Sequence, residues 1–298
     1  MQSGMEESDT MLKLPAIFSD HMILQRRKPV VIWGESDAKK VTVTIQDARV
    51  VTYVQDGKWQ LFLPPMEAGG PYVLTVKTDE EEEKVYEDVM YGEIWLAGGQ
   101  SNMELELQNS KNGAVAVTEA HNELLRFYYT PKVSYLCDEL YEQEEKSCWE
   151  LCCPENVGRW SAVGYYFARK LAAQLDVPVG IIGCNWGGTS ASCWMSREAL
   201  ENDKVISSYV EEYDAIVAEQ DFDAYCKERE EYIVYQAEFD KNCKHYYETT
   251  PNPTWEGALE VCGENKYPGP MGPRSEYRPA GLYETMIQRI APYTLAGF

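Results

Sequence analysis

Histidine and positive charge are what this sequence has least of. Three histidines occur in 298 residues: His21, His121 and His245. That is few for a metal site built on imidazole. Lysine and arginine number 27 against 49 aspartates and glutamates, a net charge of -22. A field of that sign repels polyphosphate and anionic headgroups, which argues against nucleic acid and acidic membrane surfaces as partners. No run approaches the ~18 apolar residues of a transmembrane helix. Met1 to Leu14 has no apolar core of the signal-peptide kind, and residues 1–11 read as a polar leader. The nine cysteines contain no CxxC pair, though Cys152 and Cys153 are adjacent. Free thiols in a reducing, cytoplasmic compartment are therefore expected, with no metal and no cofactor.

What is present is enough for two domains. Residues 12–90 read as β structure. Val41 to Ile45 alternates apolar and polar, the period of a half-buried strand. Val50 to Val54, Trp59 to Leu63, Tyr72 to Val76 and Val85 to Val89 are further short runs. Asp56-Gly57, Pro64-Pro65 and Gly69-Gly70-Pro71 punctuate them as turns. Strands at this spacing predict a small β-sandwich domain. The acidic run Asp79 to Lys84 reads as a solvated turn.

The pattern changes near residue 91, and residues 91–298 predict an α/β domain. Glu93 to Ala97 is a strand running into glycines. Ala114 to His121 reads as helix and Leu124 to Tyr129 as strand. Ser161 is placed to cap a helix whose apolar face is Val163, Phe167, Leu171 and Leu175. Pro178 to Cys184 is a continuous apolar run, as in a parallel strand covered on both faces. Strand and helix alternating in this order imply a doubly wound sheet. Residues 197–250 are charged and helix-prone, and read as a helical insertion. Pro251 to Pro279 reads as a long loop. Gly281 to Tyr293 reads as a last helix, with Leu282, Met286, Ile287 and Ile290 on one face, and a further strand is expected to begin at Phe298.

Two strand ends carry the candidate chemistry. A strand that ends in glycines delivers the next residues to the carboxyl edge of a parallel sheet, where ligands bind. Ser101, in Gly98-Gly99-Gln100-Ser101-Asn102-Met103, sits at such a turn. There its hydroxyl is exposed as a nucleophile, and neighbouring backbone N–H groups face a developing oxyanion. A helix cap or a phosphate cradle uses the same geometry, though no lysine follows within the turn as a phosphate loop requires. Cys184-Asn185-Trp186-Gly187-Gly188-Thr189-Ser190 is the second strand end, and its glycines let backbone approach a ligand closely.

With these residues in view, the sequence resembles a family. Gly98-Gly99-Gln100-Ser101-Asn102-Met103-Glu104 is similar to the serine block of the sialate O-acetylesterase branch of the SGNH hydrolases. Leu14 to Gln25 resembles that family's N-terminal signature, and Val31 to Gly34 with Asp56 to Trp59 its β-domain. Trp160 to Ala168 and Val177 to Gly188 resemble the helix and strand leading to its second block. Pro279 to Tyr283 resembles the approach to its third. The resemblance implies an N-terminal β-sandwich and an SGNH-type α/β domain. It implies hydrolysis of acetyl esters on sugar hydroxyls, with Ser101 attacking. The Ser101 N–H and Gly187 or Gly188 would donate to the oxyanion, and Gln100 and Asn102 would shape the loop.

The family's third block, which carries an asparagine donor, and its later Asp-x-x-His block have no counterpart in these residues. The expectation is an incomplete α/β domain, from a truncated gene, a split gene or a fragment. Little turnover by the chain alone follows, because a serine hydroxyl without a base is a poor nucleophile. The expected partners are an acetylated sugar and a C-terminal fragment supplying the catalytic Asp and His. A catalytically dead remnant, or a split-gene half acting as a sugar-binding module, is the alternative. The charge of -22 leaves neutral acetylated sugars at least as well favoured as sialic acid.

Overall fold

The computed structural model describes residues 11–298. The expected leader lies, apart from Met11, outside the described residues. The first strands are β1 (Leu12–Lys13), β2 (Ile23–Gln25), β3 (Val30–Ser36), β4 (Lys40–Ile45), β5 (Ala48–Tyr53) and β6 (Lys58–Leu63). They are followed by β7 (Gly69–Thr78) and β8 (Glu83–Gly99). One antiparallel sheet has the order β1-β3-β6; in the other, β8, β7, β4 and β5 follow one another and β2 pairs with β8. Val41, Val43 and Ile45 are buried on one face of β4, and Trp59, Leu61 and Leu63 on one face of β6. Two sheets each burying alternate residues is the pattern of a sandwich. Asp56 and Gly57 take φ of 50° and 76°. Both positive values make the tight turn in which Gln55 and Lys58 exchange backbone hydrogen bonds.

The boundary expected at residue 90 is not a break between units. It falls inside β8, a single strand of 17 residues. What changes there is the ladder partner. Up to Tyr91, β8 pairs with β7, and from Glu93 it pairs with β11 (Val179–Asn185). Gly92 marks the exchange, since a Cβ there would lie 2.0 Å from the Pro178 carbonyl oxygen. The alternation of side chains therefore changes at residue 91 while the backbone continues. Strands β4, β7 and β8 belong to one eight-stranded sheet. The compact unit around it comprises residues 11–133, Cys137–Gly188 and Met286–Phe298.

The second half of that sheet holds β9 (Asn122–Tyr129) and β10 (Glu150–Cys152), in the order β10-β9-β11-β8. Strand β11 is parallel to both β8 and β9, and all seven of its residues are buried. Burying each of Val179, Ile181 and Ile182 contributes about 1.5–3 kcal/mol. The helices of this unit include α1 (Ser101–Glu104), α2 (Gly113–Thr118), α3 (Asp138–Glu145), α4 (Pro154–Val157) and α5 (Ala162–Leu175). Ser161 caps α5 as expected, its Oγ accepting the Gly164 N–H at 3.1 Å.

The buried face of α5 differs from the expected one. Ala162, Gly164, Tyr165, Ala168 and Ala172 face the sheet. Of the expected face, Leu171 packs against the core, while Val163, Phe167 and Leu175 remain 48%, 41% and 43% exposed. The reason is close approach. Gly164 sits so near β9 and β11 that a Cβ on it would touch Phe127 and Ile181 at 3.3 Å, and small residues on that face let the helix settle there. Phe167 instead packs edge-on against Trp95 of β8, with ring centroids 5.1 Å apart. Beside Trp95, where a strand was expected from Phe298, the chain makes only an isolated bridge at Gly297. Ala296 N donates to Ile94 O, and Leu96 N to Gly297 O, in a parallel bridge.

The second compact unit comprises Ser134–Leu136 and Thr189–Thr285. It contains α6 (Arg197–Glu201), α7 (Ser207–Ala218), α8 (Phe222–Thr249) and α9 (Trp255–Cys262). The helical insertion expected over 197–250 is thus part of a larger body. Helix α9 corrects the long loop expected from Pro251 to Pro279. Thr254 Oγ1 accepts the Gly257 N–H at 3.1 Å to cap it, and Ala258 is fully buried. Proline and glycine on both sides conceal this short helix in the sequence. The last helix ends at Ile290 and contains a wider π turn over Tyr283–Ile287; Leu282, Met286 and Ile290 are buried as expected, and Ile287 is half-buried.

Candidate active site

Two parallel strand ends define the site. β8 and β11 run in register to Cys184 opposite Gly98 and Asn185 opposite Gly99. Beyond them, the Trp186 N–H donates to Gly99 O at 3.1 Å. The buried Asn185 side chain donates to Ala97 O at 3.1 Å and ties the two ends again. Gly99 has φ of 143°, a conformation that turns the chain sharply out of the strand. Ser101 then opens α1, with Met103 N and Glu104 N donating back to Gln100 O. The N–H groups of Ser101 and Asn102, at the start of a helical turn, have no intrahelical acceptor.

Ser101 is exposed, and its hydroxyl donates to Gln100 Oε1 at 3.2 Å. Gly187 lies next to it, since a Cβ on Gly187 would be 3.7 Å from Ser101 Oγ. Ser101, Gln100 and Gly187 are therefore gathered as the sequence suggested. Gly188 is exposed with φ of 80°, and Asn102 is exposed; of the expected site residues, Ser101 alone lines the pocket.

Glu104 is the residue that sequence reasoning left without a role. Its Oε2 accepts the Gly187 N–H at 2.5 Å. Its Oε1 pairs with Lys132 Nζ. Lys132 lies just past the end of β9, so one carboxylate ties together the ends of β8, β9 and β11. Its position three residues after Ser101, within the first turn of α1, was the available signal. A carboxylate there points back towards the start of the helix.

Around Ser101 lies an open pocket of about 650 Å³. Its walls carry three acids, Glu104, Glu106 and Glu150, and three cations, Lys132, Lys146 and Arg159. Arg159 pairs with Glu150, whose other oxygen accepts the Trp160 indole N–H at 2.7 Å. Glu106 accepts from Gln108 at 2.7 Å and from Asn109 at 3.1 Å. Burial pushes the Tyr129 phenol well above its ordinary value, so it lines the pocket as a neutral group. Burial, followed by the charge of Glu150, also raises the Cys148 thiol. In a chain of net charge -22, this concentration of cations gives the pocket a locally balanced field.

The histidines are engaged elsewhere. His21 Nδ1 meets Asp88 Oδ2 at 2.7 Å, and the same carboxylate holds Arg126. His121 precedes β9 on the surface, and His245 lies on α8 of the helical unit. None lines the pocket at Ser101. Among the described residues, no three metal-ligating side chains converge. No helix among them is long and apolar enough to cross a membrane.

A family model described as carbohydrate esterase, sialic acid-specific acetylesterase, matches residues 91–250. The sialate O-acetylesterase of Pongo abelii is 30% identical over 214 residues, covering 63% of this chain and 40% of that protein. The human sialate O-acetylesterase is 29% identical over 214 residues with the same coverages. Among solved structures, a carbohydrate acetylesterase from Xanthomonas citri is 35% identical with a TM-score of 0.58. That likeness covers 64% of this chain and 43% of the other. The chain spans about two fifths of the length of the curated relatives it matches.

Proposed function

Since the chain belongs to the sialic acid-specific acetylesterase family of carbohydrate esterases, we propose that it carries the nucleophile of an enzyme that removes acetyl groups from sugar hydroxyls. The supporting observation is the exposed Ser101 hydroxyl at a parallel strand end, with the Gly187 backbone beside it and an open polar pocket in front.

In this reading, Ser101 Oγ attacks the acetyl carbonyl carbon. The Ser101 proton passes to a base, and the carbonyl oxygen becomes an oxyanion facing the Ser101 and Gly187 N–H groups. Collapse of the tetrahedral intermediate breaks the bond to the sugar oxygen, which leaves as a hydroxyl after receiving a proton. Water then hydrolyses the acetyl-serine and releases acetate. For Gly187 to donate to the oxyanion, Glu104 Oε2 must release its N–H. Gln100 keeps the serine hydroxyl oriented, and Asn102 supports the turn behind it.

The acid–base pair belongs, in this reading, to a further polypeptide segment, in cis or in trans. Two features suit its docking: the parallel bridge at Gly297 beside β8, and the exposed apolar stripe of Val163, Phe167 and Leu175 on α5. Cytoplasmic residence fits the nine free thiols. The test compares acetate release from acetylated sugars by the chain alone and by the chain co-expressed with whatever its coding DNA specifies after codon 298. Ser101-dependent release on co-expression supports the reading. Sugar binding without release in either case favours a binding module.

A further inference from the structure

We propose that Cys243 and Cys262, in the helical unit, are a redox-active dithiol that closes into a disulfide and staples α9 to α8. Nothing in the esterase reading uses these residues, and the proposal stands or falls without it.

The placement follows from helix geometry. Cys243 lies six residues before the end of α8 at Thr249 (249 − 243), and Cys262 lies seven residues after the start of α9 at Trp255 (262 − 255). At a rise of ~1.5 Å per residue, the two lie about 9 and 10.5 Å along their helices from the connecting turn. The two thiols lie close enough to influence each other's ionisation. Phe239, Cys243 and Ala258 form the buried centre of this contact, with Tyr235, Tyr246, Leu259 and Cys262 packed on it. Cysteines packed into one cluster of a helix pair need little backbone movement to bridge.

Exposure assigns the order of events. Cys262 is half-buried and Cys243 is buried, so Cys262 is the sulfur that meets an oxidant. A low-molecular-weight disulfide such as glutathione disulfide is the fitting co-reactant. The Cys262 thiolate attacks one sulfur of that disulfide and expels one glutathione thiolate, leaving a mixed disulfide. Cys243, losing its proton to solvent, then attacks Cys262 Sγ and expels the second thiolate. Two protein thiols are oxidised, and one small disulfide is reduced to two thiols. Burial first, and the neighbouring Cys262 after it, push the Cys243 thiol up, so Cys243 is a poor first nucleophile and reacts once the mixed disulfide is held beside it. The consequence is local: α9 has eight residues, too short to persist alone, and the bridge ties it to the 28-residue α8.

The experiment treats the full chain with glutathione disulfide and maps the cysteines by mass spectrometry, with hydrogen exchange read on α9. The expected product carries a cross-linked peptide joining Cys243 to Cys262, two hydrogen atoms lighter than the two peptides together. Exchange in α9 slows by at least tenfold and recovers with dithiothreitol. Cys243→Ser should stop at a glutathione adduct on Cys262, and Cys262→Ser should form neither adduct nor bridge there. A bridge from Cys243 or Cys262 to any other cysteine, a persistent glutathione adduct on Cys262 of the unmodified chain, or both residues left as thiols would overturn the proposal. The mapping on the unmodified chain decides the question even if a serine variant fails to fold.

Discussion

The Glu104 carboxylate accepts the Gly187 backbone N–H at 2.5 Å and holds it beside the Ser101 hydroxyl. With Lys132 on its other oxygen, it joins the ends of three strands. Glu104→Ala should therefore lower stability, by about 1 kcal/mol once the half-exposed position is allowed for. Glu104→Gln keeps a neutral acceptor for Gly187 and should lose less. Urea unfolding midpoints measure both, and equal losses would show that the acceptor atom is unimportant.

Much of this arrangement was legible in the sequence, and the reasons differ by residue. Val41 to Ile45 announces a half-buried strand because its period of two has one solution in a sandwich. Gly98-Gly99 and Gly187-Gly188 announce strand ends because only glycine tolerates such turns and approaches. The face of α5 was misread because hydrophobicity alone was counted. Ala162, Gly164, Ala168 and Ala172 are weakly apolar, yet their smallness is what allows close packing on β9 and β11. Helix α9 was hidden by flanking prolines, and Glu104 by having no partner within its own segment. Its partners, Gly187 and Lys132, are 83 and 28 residues away.

Gly92→Ala should destabilise the protein by several kcal/mol. The added Cβ would fall 2.0 Å from the Pro178 carbonyl oxygen, and backbone on both strands must move to admit it. A thermal midpoint unchanged within error would mean that β8 and β11 do not approach as described.

Val163, Phe167 and Leu175 give α5 an exposed apolar stripe that should drive self-association of the chain alone. Val163→Lys with Leu175→Glu should shift the sedimentation profile towards monomer with little loss of stability. An unchanged profile would place the associating surface elsewhere.

Stability should fall as pH rises from about 9 towards 12. Burial raises the Cys152 thiol to about 11 and the Cys184 thiol to about 12, from an ordinary value of 9.0. Between those values, the folded state holds protons that the unfolded state has released. The stabilisation from neutral buried thiols is thus complete below pH 9 and lost through this window. Cys184→Ala should flatten the alkaline slope of the unfolding midpoint against pH, while leaving the acid side unaltered in shape.

The central claim is that Ser101 attacks acetyl esters on sugars. Its most direct measurement is acetate release from an acetylated sugar by the chain co-expressed with the product of its downstream coding DNA, with Ser101→Ala alongside. The account predicts release that falls by at least ~10³-fold in Ser101→Ala with substrate binding retained. Release that survives the substitution would contradict it.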